Sequence, residues 1–153
     1  MTRLKQPQII LLLTDGFDEA AVGMTVAILR EASLAVTLVG LRMTQIRGEH
    51  GMMVSPMLSL DQLLASAPPL LALIFPGDTR YLARFTHDPR VNELVERVIK
   101  SQGVFVGFKD ITVATFVTLT DTTNLKDLIK IQGEADLETF INQLGQELLA
   151  QRV

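Results

Sequence analysis

QIILLLTDGFDEA, residues 8–20, contains the first strand, the first turn and the first helix start of this chain. Gln8–Leu13 is predicted to be a buried strand, because five consecutive aliphatic residues run into the turn sequence TDG. A helix is predicted from Asp18 to about Ala32, with acidic residues in its first turn, where the helix dipole favours them. Its apolar positions recur at helical spacing: Ala21, Met24, Ala27 and Ile28. A buried strand followed by an amphipathic helix is typical of α/β proteins.

The same alternation of strand and helix continues along the chain. Further buried strands are predicted at Val36–Leu41, Leu71–Phe75 and Val104–Phe108. Helices with one apolar face are predicted from Pro89 to Gly103 and from Leu137 to Leu148. Alternating strands and helices imply parallel pairing with right-handed crossovers. We therefore predict a flavodoxin-like, doubly wound, mostly parallel sheet with helices on both faces, in a single three-layer domain that takes up residues 1–153.

Shorter elements are predicted between these strands and helices. They are a hairpin arm at Met52–Met57, a helix from Ser59 to Ala65, a loop from Asp78 onward, a helix at Ile111–Phe116 and a strand at Leu128–Ile131. The carboxyl ends of the main strands should converge at one edge of the sheet, which is where doubly wound proteins build their sites.

Composition excludes several classes of function. The net charge is −3 and the 14 Lys and Arg residues are scattered, so we expect no nucleic acid partner. The apolar run Ile9–Leu13 is too short for a signal peptide or a membrane span, so we expect a cytoplasmic protein without a membrane partner. The chain contains no Cys and two His, so we expect no disulfide, no metal site and no cofactor.

Several segments, in this order and spacing, are similar to one known family. They are Leu11–Glu19, the hairpin sequence Arg47–Gly51, the turn Ile74–Gly77, Gly103–Lys109 before a short helix, and Ile131–Gly133 before the last helix. Together they resemble the ThiJ/PfpI family of the class I glutamine amidotransferase-like superfamily. The resemblance covers nearly the whole chain and implies the same flavodoxin-like fold.

The resemblance also implies a site that this chain does not keep. The family carries a cysteine on a strained strand-to-helix turn, a glutamate after the first strand, and backbone amides near a Pro-Gly-Gly turn. Matching the motifs places Lys109 at the cysteine, Ala21 at the glutamate and Asp78 at the second glycine. Because the nucleophile and the acid are both replaced, we expect no cysteine-dependent hydratase, deglycase or protease activity.

Lys109 has two interpretations. An amine on such a turn can form a Schiff base or act as a base if desolvation lowers its pKa. Alternatively, a carboxylate holds it charged, and Asp78 and Asp110 are both near in sequence or in the expected fold. We predict that Lys109 pairs with Asp78, since a buried charge needs a partner and Asp110, as the next residue of a turning chain, should point away.

Other ionisable residues have simpler interpretations. Asp15, Asp18 and Glu19 are predicted to be capping and helix-dipole partners rather than acid/base catalysts. His50 and His87 lie in turn sequences and are predicted to be exposed.

Two classes of function remain open. One is a non-catalytic binding, regulatory or stress-related protein, and the other is an enzyme with a lysine-centred site that acts on a small carbonyl compound. A mean hydropathy of +0.31 and the methionines at Met52 and Met53 predict a homodimer. The identity of a small-molecule ligand or protein partner does not follow from the sequence.

Overall fold

The computed structural model describes residues 6–120 and 126–152. Its strands are β1 (Gln8–Leu13), β2 (Val36–Gly40), β3 (Ile46–Arg47), β4 (Met53–Val54), β5 (Leu58–Ser59), β6 (Leu70–Ile74), β7 (Val104–Gly107) and β8 (Ile129–Ile131). The helices are α1 (Glu19–Glu31), α2 (Leu60–Ser66), α3 (Thr79–Ala83), α4 (Pro89–Lys100), α5 (Val113–Thr120) and α6 (Leu137–Arg152), with a 3₁₀ turn at Lys126–Leu128.

Six strands of the described residues form one parallel sheet in the order β5-β2-β1-β6-β7-β8. β3 and β4 form a separate antiparallel hairpin. The central strand β1 is buried along its whole length, because helices cover the sheet on both faces. The predicted flavodoxin-like α/β fold is therefore confirmed.

The two faces of β1 contribute to two hydrophobic cores. Ile9 and Leu11 pack on the side covered by α1 and α6. Ile10 and Leu12 pack on the side covered by α2, α4 and α5. This alternation follows from the two-residue period of a strand and explains why β1 is apolar at consecutive positions.

The order of the strands reverses between β1 and β6. From β1 the chain builds outward through β2 to β5, and it then returns to β6 and builds outward on the other side through β7 and β8. Leu11 pairs with Ile74, and Ile74 pairs with Val106, so the segments that follow these three strands emerge side by side. The expected convergence of strand ends is confirmed, and it lies at the topological switch point where such sheets bind ligands.

Two of the differences from the sequence predictions concern where a helix begins. The segment after Asp78, predicted as a loop, contains α3, because the Asp78 side chain caps a helix by accepting a hydrogen bond from the Tyr81 amide at 2.9 Å. α5 begins at Val113 rather than Ile111, since the Thr112 hydroxyl accepts from the Thr115 amide at 3.2 Å in the manner of a cap. Among the described residues, no helix combines the length and apolar character that a membrane span requires.

Candidate functional site

A pocket of about 490 Å³ lies at the switch point of the sheet. Its walls come from the start of α1, the turns after β6 and β7, the hairpin loop and the start of α6. All four residues singled out from the sequence line it: Ala21, Asp78, Lys109 and Asp110. The fold therefore brings these four residues together at one pocket.

The α1 side of the pocket offers little chemistry. Asp18 caps the helix, because its Oδ1 accepts a hydrogen bond from the Ala21 amide at 3.0 Å. Ala21 itself is buried, with 1% of its surface exposed, so a methyl group stands where the family resemblance implies a glutamate.

The turn after β6 is packed tightly against α3. A Cβ atom added to Gly77 would overlap the ring and the Cβ of Tyr81, so only glycine fits between this turn and the helix. The Tyr81 hydroxyl donates a hydrogen bond to the Leu12 carbonyl at 2.8 Å and accepts one from the Thr14 amide at 3.0 Å. Burial raises the pKa of the Tyr81 phenol above its usual value. Tyr81 thus joins the carboxyl end of β1 to the β6 turn as a neutral group.

The turn after β7 carries Lys109 and Asp110, both exposed. The Lys109 amide donates to the Gln132 Oε1 at 3.2 Å, and the Asp110 carbonyl accepts from the Thr79 hydroxyl at 2.8 Å. Asp110 has a φ of 74°, in the left-handed region that costs most residues roughly 1 kcal/mol and that Asp tolerates better than most. The backbone strain of this turn therefore lies at Asp110, one residue beyond the position matched to the family's cysteine.

The predicted ion pair between Lys109 and Asp78 is wrong. The Asp78 carboxylate caps α3 and lies 3.6 Å from the Arg80 guanidinium. In residues 6–120 and 126–152, no carboxylate oxygen lies within 4.0 Å of the Lys109 ammonium. The prediction assumed that Lys109 is buried, whereas an exposed ammonium is solvated by water and needs no counter-ion.

The acidic residues around the first turn have mixed roles. Asp18 is the helix cap, as predicted. Glu19 lies in the first turn of the same helix, as predicted, and also accepts hydrogen bonds from the β3–β4 hairpin. Asp15, predicted to be a partner of this helix end, instead accepts a hydrogen bond from the Arg47 amide of the hairpin. His50 and His87 are exposed, which confirms the predictions for both.

Other pocket residues were missed by sequence reasoning. Tyr81 lies in α3 and Arg84 at its end, in a segment that was predicted as a loop. Arg84 donates a hydrogen bond to the Asp15 carbonyl at 2.7 Å. Glu49 and Gln132 come from the hairpin and from the segment after β8. Glu49 and Gln132 lie in the segments Arg47–Gly51 and Ile131–Gly133 that carry the family resemblance, but the sequence did not indicate that their side chains line a pocket.

Comparison with known proteins agrees with this architecture. A family model described as the DJ-1/PfpI family matches residues 7–126. The chain belongs to the DJ-1/PfpI family. The resemblance inferred from the motifs is therefore confirmed, whereas no curated protein sequence matches the chain.

Solved structures of the DJ-1/PfpI family share the fold. Drosophila melanogaster DJ-1beta is 14% identical with a TM-score of 0.73, over 94% of this chain and 90% of that protein. A ThiJ/PfpI domain protein from Brachyspira murdochii is 14% identical with a TM-score of 0.72, over 95% of this chain and 98% of that protein. A DJ-1 superfamily protein from Salmonella typhimurium is 16% identical with a TM-score of 0.71, over 95% of this chain and 91% of that protein. At these identities the likeness establishes the fold alone.

Proposed function

We propose that this chain is a non-catalytic member of the DJ-1/PfpI family, which binds a small ligand or a protein partner in a regulatory or stress-related role in the cytoplasm. One observation carries the proposal. The switch-point pocket is present, but the positions matched to the nucleophile and the acid hold Lys109 and Ala21, and the chain has no Cys anywhere. A thiolate mechanism therefore has no nucleophile in this chain.

Two of the four carboxylates that line the pocket are already bound to backbone amides. Asp18 and Asp78 are both engaged as helix caps, which hold their side chains in place as acceptors of backbone amides. Arg84 and Lys109 lie in the same pocket, so it presents both signs of charge. This mixture suits recognition of a small polar ligand better than proton transfer by one matched group.

Purified protein is expected to convert methylglyoxal no faster than buffer alone, since neither the thiolate nor the glutamate is present. The disappearance of methylglyoxal, followed by proton NMR, measures this directly. Lys109→Ala serves as the control: turnover that persists in it comes from a contaminant or another site. Turnover in the wild-type chain that is lost in Lys109→Ala would contradict the non-catalytic role.

We also propose that the chain forms a homodimer. In the described residues, the exposed large hydrophobic side chains are all methionines: Met24, Met43, Met52, Met53 and Met57. Exposed thioethers provide adaptable apolar surface of the kind that protein interfaces use. Light scattering at micromolar concentration should report twice the mass of 16.9 kDa. A monomer under these conditions would remove this proposal.

A lysine-centred enzyme that acts on a small carbonyl compound is the second candidate. The observation in its favour is that, among the described residues, no carboxylate oxygen lies within 4.0 Å of the Lys109 ammonium, so no ion pair blocks the approach of a carbonyl compound. In such an enzyme the Lys109 amine attacks the carbonyl carbon, water leaves and an imine forms. The exposure of Lys109 weighs against it, since a nucleophilic lysine is usually found in a desolvated site.

A further inference from the structure

The hairpin loop Gly48–Met52 is attached to the first turn of α1 by one carboxylate. Glu19 Oε2 accepts hydrogen bonds from the His50 amide at 2.6 Å and from the Met52 amide at 3.3 Å. Glu19 Oε1 lies 3.1 Å from His50 Nδ1. A single side chain therefore binds two backbone amides and one imidazole of the same loop.

The local sequence explains why Glu19 is available for this contact. Asp18 is the N-cap of α1 and accepts from the Ala21 amide, so the Glu19 side chain in the first turn is left to reach the loop. Gly48 lets the loop approach closely, because a Cβ at this position would lie 2.7 Å from the Glu19 carboxyl carbon. The Glu19 side chain is only 14% exposed as a result, whereas the His50 side chain is 82% exposed.

The same loop forms one wall of the switch-point pocket. Glu49, between Gly48 and His50, lines the pocket, and its amide donates to the Phe17 carbonyl at 2.9 Å. Next to the loop, the Gly16 amide donates a further hydrogen bond to the Arg47 carbonyl at 2.8 Å. Any movement of the loop away from α1 therefore moves a pocket wall.

We propose that Glu19 is a positioning residue that holds the loop Gly48–Met52 against the pocket, and that protonation of His50 strengthens this hold. We call the contacts of Glu19 with this loop the latch. The effect of the latch on ligand recognition rests on the proposed binding function, whereas the latch itself is independent of that function.

The charges around His50 give the latch a pH dependence. The groups that face it are Glu19 and Asp18 at the start of α1 and Glu49 in the loop itself. The hydrogen bond and charge of Glu19 raise the pKa of His50. Partial desolvation alone would raise the pKa of Glu19, but the bonds from His50 and the loop amides together lower it.

The signs of the two shifts define a pH window. Because folding raises the pKa of His50, protonated His50 stabilises the contact with Glu19 fully below its unfolded pKa of about 6.5. This stabilisation is lost as the pH rises through the folded pKa of His50. Because folding lowers the pKa of Glu19, ionised Glu19 stabilises the loop contact above its ordinary pKa of 4.5. This stabilisation is lost as the pH falls through the folded pKa of Glu19. The latch is therefore strongest in mildly acidic solution and weakens as the pH rises through the raised pKa of His50.

Amide exchange of the loop, measured by NMR at about pH 5.5 and about pH 7.5, tests the latch without any ligand. Protection factors, corrected for the intrinsic pH dependence of exchange, should fall several-fold for the His50 and Met52 amides of the wild type between these values. Glu19→Gln should lower protection at both values and remove the pH dependence. His50→Gln should keep protection near the wild-type level at the higher pH and also remove the pH dependence.

Glu31→Gln is the matched control, since Glu31 ends the same helix and is exposed. It should leave the loop amides unchanged. The proposal is overturned if wild-type protection is equal at both pH values, or if Glu19→Gln behaves like Glu31→Gln. Because no ligand is involved, this result is independent of whether the pocket binds or converts a carbonyl compound.

Discussion

Gly77→Ala is expected to destabilise the protein by roughly 3 kcal/mol, at the upper end of what overpacking of a tight site costs. The added methyl would overlap the ring and the Cβ of Tyr81. The Tyr81 side chain cannot move aside, because the backbone of α3 fixes its Cβ and its hydroxyl forms hydrogen bonds with the Leu12 carbonyl and the Thr14 amide. The turn that borders the pocket would have to shift instead.

Chemical denaturation of Gly77→Ala beside Gly23→Ala measures this effect. Gly23 lies within α1 and has open space around it, so its replacement should stabilise the protein by about 0.5–1 kcal/mol through helix propensity. Opposite signs for the two variants are the expected result. A Gly77→Ala protein as stable as the wild type would show that the β6 turn and α3 are not packed as described.

Phe75→Ala is expected to cost about 3–5 kcal/mol, the range for removing a fully buried aromatic ring. Phe75 is fully buried at the end of β6, directly before the pocket turn. Its ring lies 5.5 Å from the Phe85 ring and 5.8 Å from the Phe116 ring, both in edge contacts. The truncation therefore leaves a cavity beneath the site.

Thermal unfolding should register Phe75→Ala as a fall in Tm of about 10 °C for a chain of this size. Phe140→Ala is the comparison, since Phe140 is half-buried and has one ring neighbour, Phe108, at 6.0 Å. It should lose clearly less stability. Equal losses in the two variants would contradict the position of Phe75 in the core under the pocket.

The long elements of the fold could be predicted from the sequence because burial dictates them. Ile9–Leu13 and Val104–Phe108 are apolar at consecutive positions since both faces of their sheet are covered. The helix α4 shows a clear helical period because one of its faces meets the core. Parallel strands then bring their carboxyl ends together by topology alone. The place of the pocket followed from these two facts.

The contacts inside the site could not be predicted, because side-chain partners are chosen only after the fold brings distant segments together. Charge alone favoured a pair between Asp78 and Lys109, but the nearer amide of Tyr81 and the Arg80 guanidinium bind Asp78. The position of Glu19 favoured a role at its own helix end, but it binds a loop about 30 residues further along the chain. Between Phe116 and Leu128 the sequence is too short for the further strand and loop that the family resemblance implies, so we expect a shortened outer wall of the pocket. This segment lies partly outside the described residues.

In a non-catalytic binding pocket, Lys109 should react with carbonyl compounds no faster than an exposed surface lysine. Incubation with methylglyoxal and sodium borohydride tests it, because borohydride reduces any imine to a stable amine that peptide mass spectrometry locates. Lys100 at the end of α4 is exposed and serves as the internal reference. We expect Lys109 and Lys100 to be labelled at comparable rates. Labelling of Lys109 roughly tenfold faster than Lys100 would contradict this expectation and establish a reactive lysine.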